Sequence, residues 1–134
     1  MSDEEFLAAL ESCALSEHEF GHSAHMRAAY LYTLCGDLAI ALAKTRRAIQ
    51  AFANSVGKPD RYHETITVAY LALIRQRLHE NGNGGGWEGF ARTNTDLLER
   101  DLLLRFYPRE QLASELARKV FVLPRSARGA RQSG

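Results

Sequence analysis

The chain has 134 residues, a size at which one domain buries roughly 65–70% of its unfolded surface and a single core suffices. A hydrophobic fraction of 46% and a charged fraction of 25% are those of an ordinary globular protein and exclude a disordered or fibrous one. Seventeen Lys and Arg stand against 16 Asp and Glu, so the molecule as a whole lacks the field that gathers nucleic acid or anionic membrane.

Taken in chain order, Ser2 followed by Glu5 is a capping-box pattern, and Phe6, Leu7, Leu10 and Ala14 give the apolar stripe of a short first helix. The start carries no basic segment, apolar run or small-residue cleavage site, so export is not expected. Ser16 and Glu19 repeat the capping pattern and predict a second helix to about Leu34, closed by Gly36. Asp37 caps a third, to about Ser55, with Leu38, Ile40, Ala41, Leu42, Ala48, Ile49 and Phe52 as its apolar side. Gly57, Lys58 and Pro59 end it, and Asp60 is the expected cap of a fourth helix reaching about Leu78.

The glycine-rich stretch 81–86 reads as a loop. Trp87 to Ala91 suits a short turn of helix, and Thr95 or Asp96 can cap a segment through Leu104. Pro108 fits the first position of a last helix to about Lys119. Phe121, Val122 and Leu123 are expected to pack back in extended form before Pro124. No segment alternates as a strand does. The fold class is therefore all-α, a compact bundle of five or six helices without a sheet. One helical domain spans 1–124, followed by a flexible basic tail over 125–134.

No stretch approaches the roughly 18 apolar residues that span a bilayer. Cys13 and Cys35 lack metal or redox spacing and read as reduced, partly buried thiols of a cytoplasmic protein.

The chemistry-bearing residues are histidines. At about 100° per residue, His18, His22 and His25 share one face of the second helix. His63 falls in line with Ile66, Tyr70, Leu73 and Ile74 on the core side of the fourth. If those helices pack together, His22, His25 and His63 form a three-imidazole centre with an open fourth position, for zinc, iron, manganese or copper. Glu64 is the first choice for a general base or extra ligand, ahead of Glu19, Tyr62 and Tyr32. Each histidine taken alone has a blander reading, as a cap or core residue with both ring nitrogens bonded to backbone or hydroxyls. Neither a zincin, a nucleophile-elbow nor a phosphate-loop motif occurs.

The segments F-G-H-S-A-H over 20–25 and Y-H-E-T-I-T over 62–67, with Arg105, Phe106 and Tyr107 and the closing Ala117, Arg118, Phe121 and Pro124, resemble a family of small uncharacterised bacterial proteins. Its motifs are F-x-H-x-x-H and Y-H-E-T-x-T. The resemblance spans most of the chain after residue 19 and implies a shared site at His22, His25, His63 and Glu64, with no reaction attached. Ser23 and Ala24 depart from the charged pair expected between the two histidines.

Two functions follow as expectations. The first is a metal-binding bundle, with a small-molecule substrate at the open position. The alternative is a helical adaptor without catalysis, similar in one hairpin to tetratricopeptide units through Tyr32, Gly36, Ala48 and Phe52. Such an adaptor would capture a protein partner on Trp87, Phe106 and Tyr107.

Overall fold

The computed structural model describes residues 1–125 and is all-helical. Its α-helices are α1 (Asp3–Glu11), α2 (His22–Thr33), α3 (Leu38–Ser55), α4 (Glu64–Asn81), α5 (Trp87–Thr93), α6 (Arg109–Leu112) and α7 (Glu115–Lys119). Single 3-10 turns occupy Pro59–Arg61, Thr95–Leu98 and Leu102–Arg105. Among the described residues there is no strand, and no helix is long and apolar enough to cross a membrane. Of the basic tail expected over 125–134, all but Arg125 lies outside the described residues.

Helices α2, α3 and α4 pack against one another pairwise and form the frame. Their shared core is built from Ala28, Ala29, Ala41, Ala48, Phe52, Leu71 and Ile74. Small alanines on α2 and α3 let the helix axes approach, and the larger side chains of α4 fill the space between them. Around this frame, α1 closes one side with Phe6 and Leu10, while α5 and the two 3-10 turns after it add Phe90, Leu97, Leu102 and Leu103.

Several caps form as the sequence predicts. Ser2 and Glu5 make the reciprocal capping box of α1, and Asp37 accepts the Ile40 N–H at the start of α3. Others differ. The Ser16–Glu19 box is made at 3.1 and 2.8 Å, but it closes an isolated turn, and α2 begins only at His22 behind Gly21. Asp60 lies in the 3-10 turn, and the cap of α4 is His63 itself. The expected last helix is split, because Ser114 caps a new helix by accepting from Ala117 N–H. Leu38 and Ile40 are exposed rather than part of the apolar side of α3. Cys35 is exposed too, where a partly buried thiol was expected.

The closing segment 120–125 is extended, as expected, but polar groups hold it as much as apolar ones. Thr65 donates to the Val120 carbonyl and accepts from Val122 N–H. Tyr107 donates to the Val122 carbonyl, and Gln111 pairs with both Leu123 and Arg125. Only Val122 turns partly inward; Phe121 and Leu123 face outward.

Candidate functional site

An open cleft of about 540 Å³ lies against the frame, between α2, α3, α4 and the segment running from the second 3-10 turn into α6. Its floor and walls are mostly apolar: Met26 and Ala29 from α2, Ile49 from α3, Ile66 from α4, then Leu103, Leu104 and Leu112. His22, His25 and Tyr70 supply polar groups to the lining, and Arg100, Asp101 and Arg109 supply charge. Largely apolar walls with a few placed polar groups are what small-molecule sites share.

The two histidines sit one helical step apart at the start of α2, which is why both reach the same cleft. His22 Nε2 lies 2.9 Å from the Leu97 carbonyl, and His25 Nδ1 lies 2.9 Å from the Gly21 carbonyl. A carbonyl oxygen only accepts, so the proton of each ring sits on the nitrogen facing it. In each neutral ring the lone pair is then on the other nitrogen, Nδ1 of His22 and Nε2 of His25. His25 is also stacked on Phe20, with ring centroids 3.9 Å apart. Burial pushes its pKa below the ordinary imidazole value; the bond to Gly21 opposes this, and the charge of His22 adds to it. His25 is therefore an acceptor at neutral pH.

Tyr70 stands edge-on to His22, with centroids 5.7 Å apart. The residue is 4% exposed, and its hydroxyl has no hydrogen-bond partner within the protein. A buried hydroxyl left unpaired costs about 1–3 kcal/mol. Burial, and then the negative charges of Asp101 and Asp96, push its pKa up to about 12, so it stays a donor.

The four residues of the expected site are not brought together. His63 does not line the cleft. As the cap of α4, it accepts the Ile66 N–H on Nδ1 at 3.1 Å and donates from Nε2 to the Leu112 carbonyl at 2.7 Å. Both ring nitrogens are thus committed to backbone groups. Glu64 points into a separate pocket with Tyr62, Arg118 and Lys119. Arg46 binds its carboxylate through two nitrogens, and Tyr62 donates to it as well. The Arg46 guanidinium, helped by Tyr62 and opposed by burial, holds the Glu64 carboxyl below the usual carboxylate range, which weakens it as a base. Among the described residues, no group of three or more His, Cys, Asp and Glu side chains is gathered as a metal site. His18 is exposed in the turn before α2, Glu19 is tied to Ser16, and the Tyr32 hydroxyl donates to Glu11 at 2.6 Å.

Of the expected adaptor anchors, Phe106 and Tyr107 line one shallow pocket with Phe121 and Pro124, whereas Trp87 lies in another. Tyr107 is in the core, and Trp87 is half-buried beside Tyr30 and Phe90. Only Phe106 is well exposed, at 50%. The sequence reading missed Tyr70 as a site residue, although it placed Tyr70 on the inner face of α4. It missed Arg100 and Arg109 altogether, because they lie on irregular or short segments without periodicity.

Fold and site together define a small helical bundle with a lateral, histidine-lined cleft. No family model, curated protein or solved structure matches the chain.

Proposed function

We propose that this protein binds a small molecule in the cleft between α2, α3, α4 and α6, with His22, His25 and Tyr70 reading its polar atoms. The observation that carries this reading is the cleft itself, whose mostly apolar lining gathers His22, His25 and Tyr70; the Tyr70 hydroxyl, buried from solvent, has no partner in the fold. One donor on Tyr70 and two imidazole lone pairs suit a ligand that offers both acceptors and donors. Apolar walls supply the bulk of the affinity, and the polar groups fix orientation. The test is a screen of small molecules by ligand-observed NMR against the native protein and against Leu104→Trp, a partly exposed position of the cleft wall, with circular dichroism verifying the fold. Hits lost in the variant support the reading, whereas hits unaffected by it place binding elsewhere.

A second reading, a divalent transition metal, is favoured by one specific feature. Each cleft histidine has its N–H anchored on a backbone carbonyl, the outer-shell arrangement that orients metal-binding imidazoles. His22 and His25 would supply two ligands, and the substrate or solvent the rest. His63 could join only by giving up the cap of α4, and through Nε2 the Leu112 carbonyl as well. Elemental analysis of untagged protein tests this: near-stoichiometric metal lost in the His22→Ala, His25→Ala double variant supports a two-histidine centre. Metal lost equally in His63→Ala would restore the three-histidine one, and metal-free, folded protein would remove both.

A further inference from the structure

The chemistry of the ligand is constrained by what lies on the far side of His22. A second pocket, of about 620 Å³, opens there, with His18, Glu19, Ser23 and Arg27 beside the apolar Phe6, Leu15 and Trp87. Gly21, His22 and Arg100 belong to the walls of both cavities, so the apolar cleft and the second, mixed pocket adjoin at these residues. This junction carries uncompensated charge. Arg27, Arg46, Arg77, Arg105 and Arg118 each sit within 4 Å of a carboxylate, but no ion pair engages Arg100 or Arg109 among the described residues. Asp101 is the single acid of the cleft wall against these two guanidiniums. In the second pocket, Glu19 is bound back to Ser16, and Arg27 is paired with Asp3.

We infer that the ligand is an amphiphile with one anionic group, its apolar body in the cleft and its carboxylate or phosphate at Arg100, where the cleft adjoins the second pocket. The inference rests on the small-molecule reading above and adds the ligand class to it. Arg100 suits the role because a guanidinium offers paired donors matched to the oxygens of a carboxylate or phosphate. Met26, Ile49, Ile66, Leu103 and Leu104 give the body a surface with which to replace water. The second pocket accepts whatever extends beyond the anionic group, and its Trp87, the one tryptophan of the chain, reports occupancy there.

The test uses four probes of equal chain length: decanoate, decyl phosphate, decanol and decyltrimethylammonium. Each is titrated against the native protein, Arg100→Ala and Arg109→Ala by calorimetry, with Trp87 fluorescence followed in parallel. Arg100 is exposed, so its replacement leaves the core intact, which circular dichroism verifies. The expected result is binding of at least one anionic probe ten times or more tighter than decanol, no advantage for the cation, and a preference reduced to within twofold in Arg100→Ala. Decyl phosphate should also perturb Trp87 where decanol does not. Preference for decanoate or for decyl phosphate tells a carboxylate from a phosphate ligand, and either supports the inference. Decanol within twofold of both anions overturns the anionic class while leaving the cleft reading intact. A preference that survives Arg100→Ala overturns the placement of the charge. Failure of all four probes, decanol included, overturns the inference together with an apolar cleft site.

Discussion

The start of α2 and the start of α4 carry the same kind of side chain to different ends. At α2, His22 and His25 each give one ring N–H to a backbone carbonyl and keep the second nitrogen for whatever enters the cleft. At α4, His63 gives both nitrogens to the backbone, capping its own helix and tying it to Leu112 near the end of α6. Glu64, next to it, is held by Arg46 from α3 and by Tyr62. Residue type, position at a helix start and apolar surroundings are alike at the two places. What separates a histidine that builds from one that binds is whether its second nitrogen already has a partner in the fold.

The comparison is tested most strongly at α4. Glu64→Ala leaves Arg46 and the half-buried Tyr62 hydroxyl without their shared acceptor. It should destabilise the protein by about 2 kcal/mol in urea unfolding, with solvent at Arg46 moderating the loss. His63→Ala removes a cap and the bond to Leu112 and should cost about 1–2 kcal/mol. Neither change should alter affinity in the cleft by more than about twofold, under 0.5 kcal/mol. A tenfold loss of cleft binding in either variant, with the fold intact, would break the division between the two helix starts.

How much of this could be read from the sequence follows the same line. Of the frame helices α3 was the most legible, because it carries apolar periodicity and its Asp37 cap forms as expected; beside the frame, the capping box of α1 was legible too. The clustering of His22 and His25 was legible for the same reason, since residues three apart on a helix share a face. The role of His63 was not. A core-facing phase holds only for a residue inside the helix, whereas His63 is the residue before it, with extended backbone, and helical phase does not apply there. The partner that fixes it, Leu112, is 49 residues away, a separation over which local patterns carry no information. Arg100 and Arg109 escaped for a related reason: only tertiary packing carries their turns to the mouth of the cleft.

A smaller effect sharpens the comparison within α2. The folded protein holds the pKa of His25 below its unfolded value near 6.5, so at mildly acidic pH the unfolded chain binds more protons there than the native state. The stability this residue contributes is therefore complete above about pH 6.5 and declines as pH falls towards the depressed native value. His25→Phe keeps a ring against Phe20 and leaves the Gly21 carbonyl still accepting from the backbone N–H of residue 25. Its stability should thus fall less steeply between pH 7 and 5 than that of the native protein in parallel urea titrations. Parallel profiles would mean that His25 is not desolvated in the folded state.

The smallest expected change in stability, and the most discriminating, is at Tyr70. If its hydroxyl formed a hydrogen bond within the fold, Tyr70→Phe would destabilise by about 1 kcal/mol, as removal of a buried hydroxyl from its partner usually does. Here the hydroxyl is buried without one. Deleting it removes a desolvated polar atom and leaves the ring packed against His22, so stability should stay the same or rise by a few tenths of a kcal/mol. The same deletion takes from the cleft the one donor that the fold leaves unused on α4. A molecule bound there should lose about tenfold in affinity, or ~1.4 kcal/mol. Opposite signs for folding and binding in a single variant arise only when the group serves a ligand rather than the core. A loss of 1 kcal/mol or more in unfolding free energy, with binding unchanged, would assign Tyr70 to the frame and leave the reading of a ligand's polar atoms to His22 and His25.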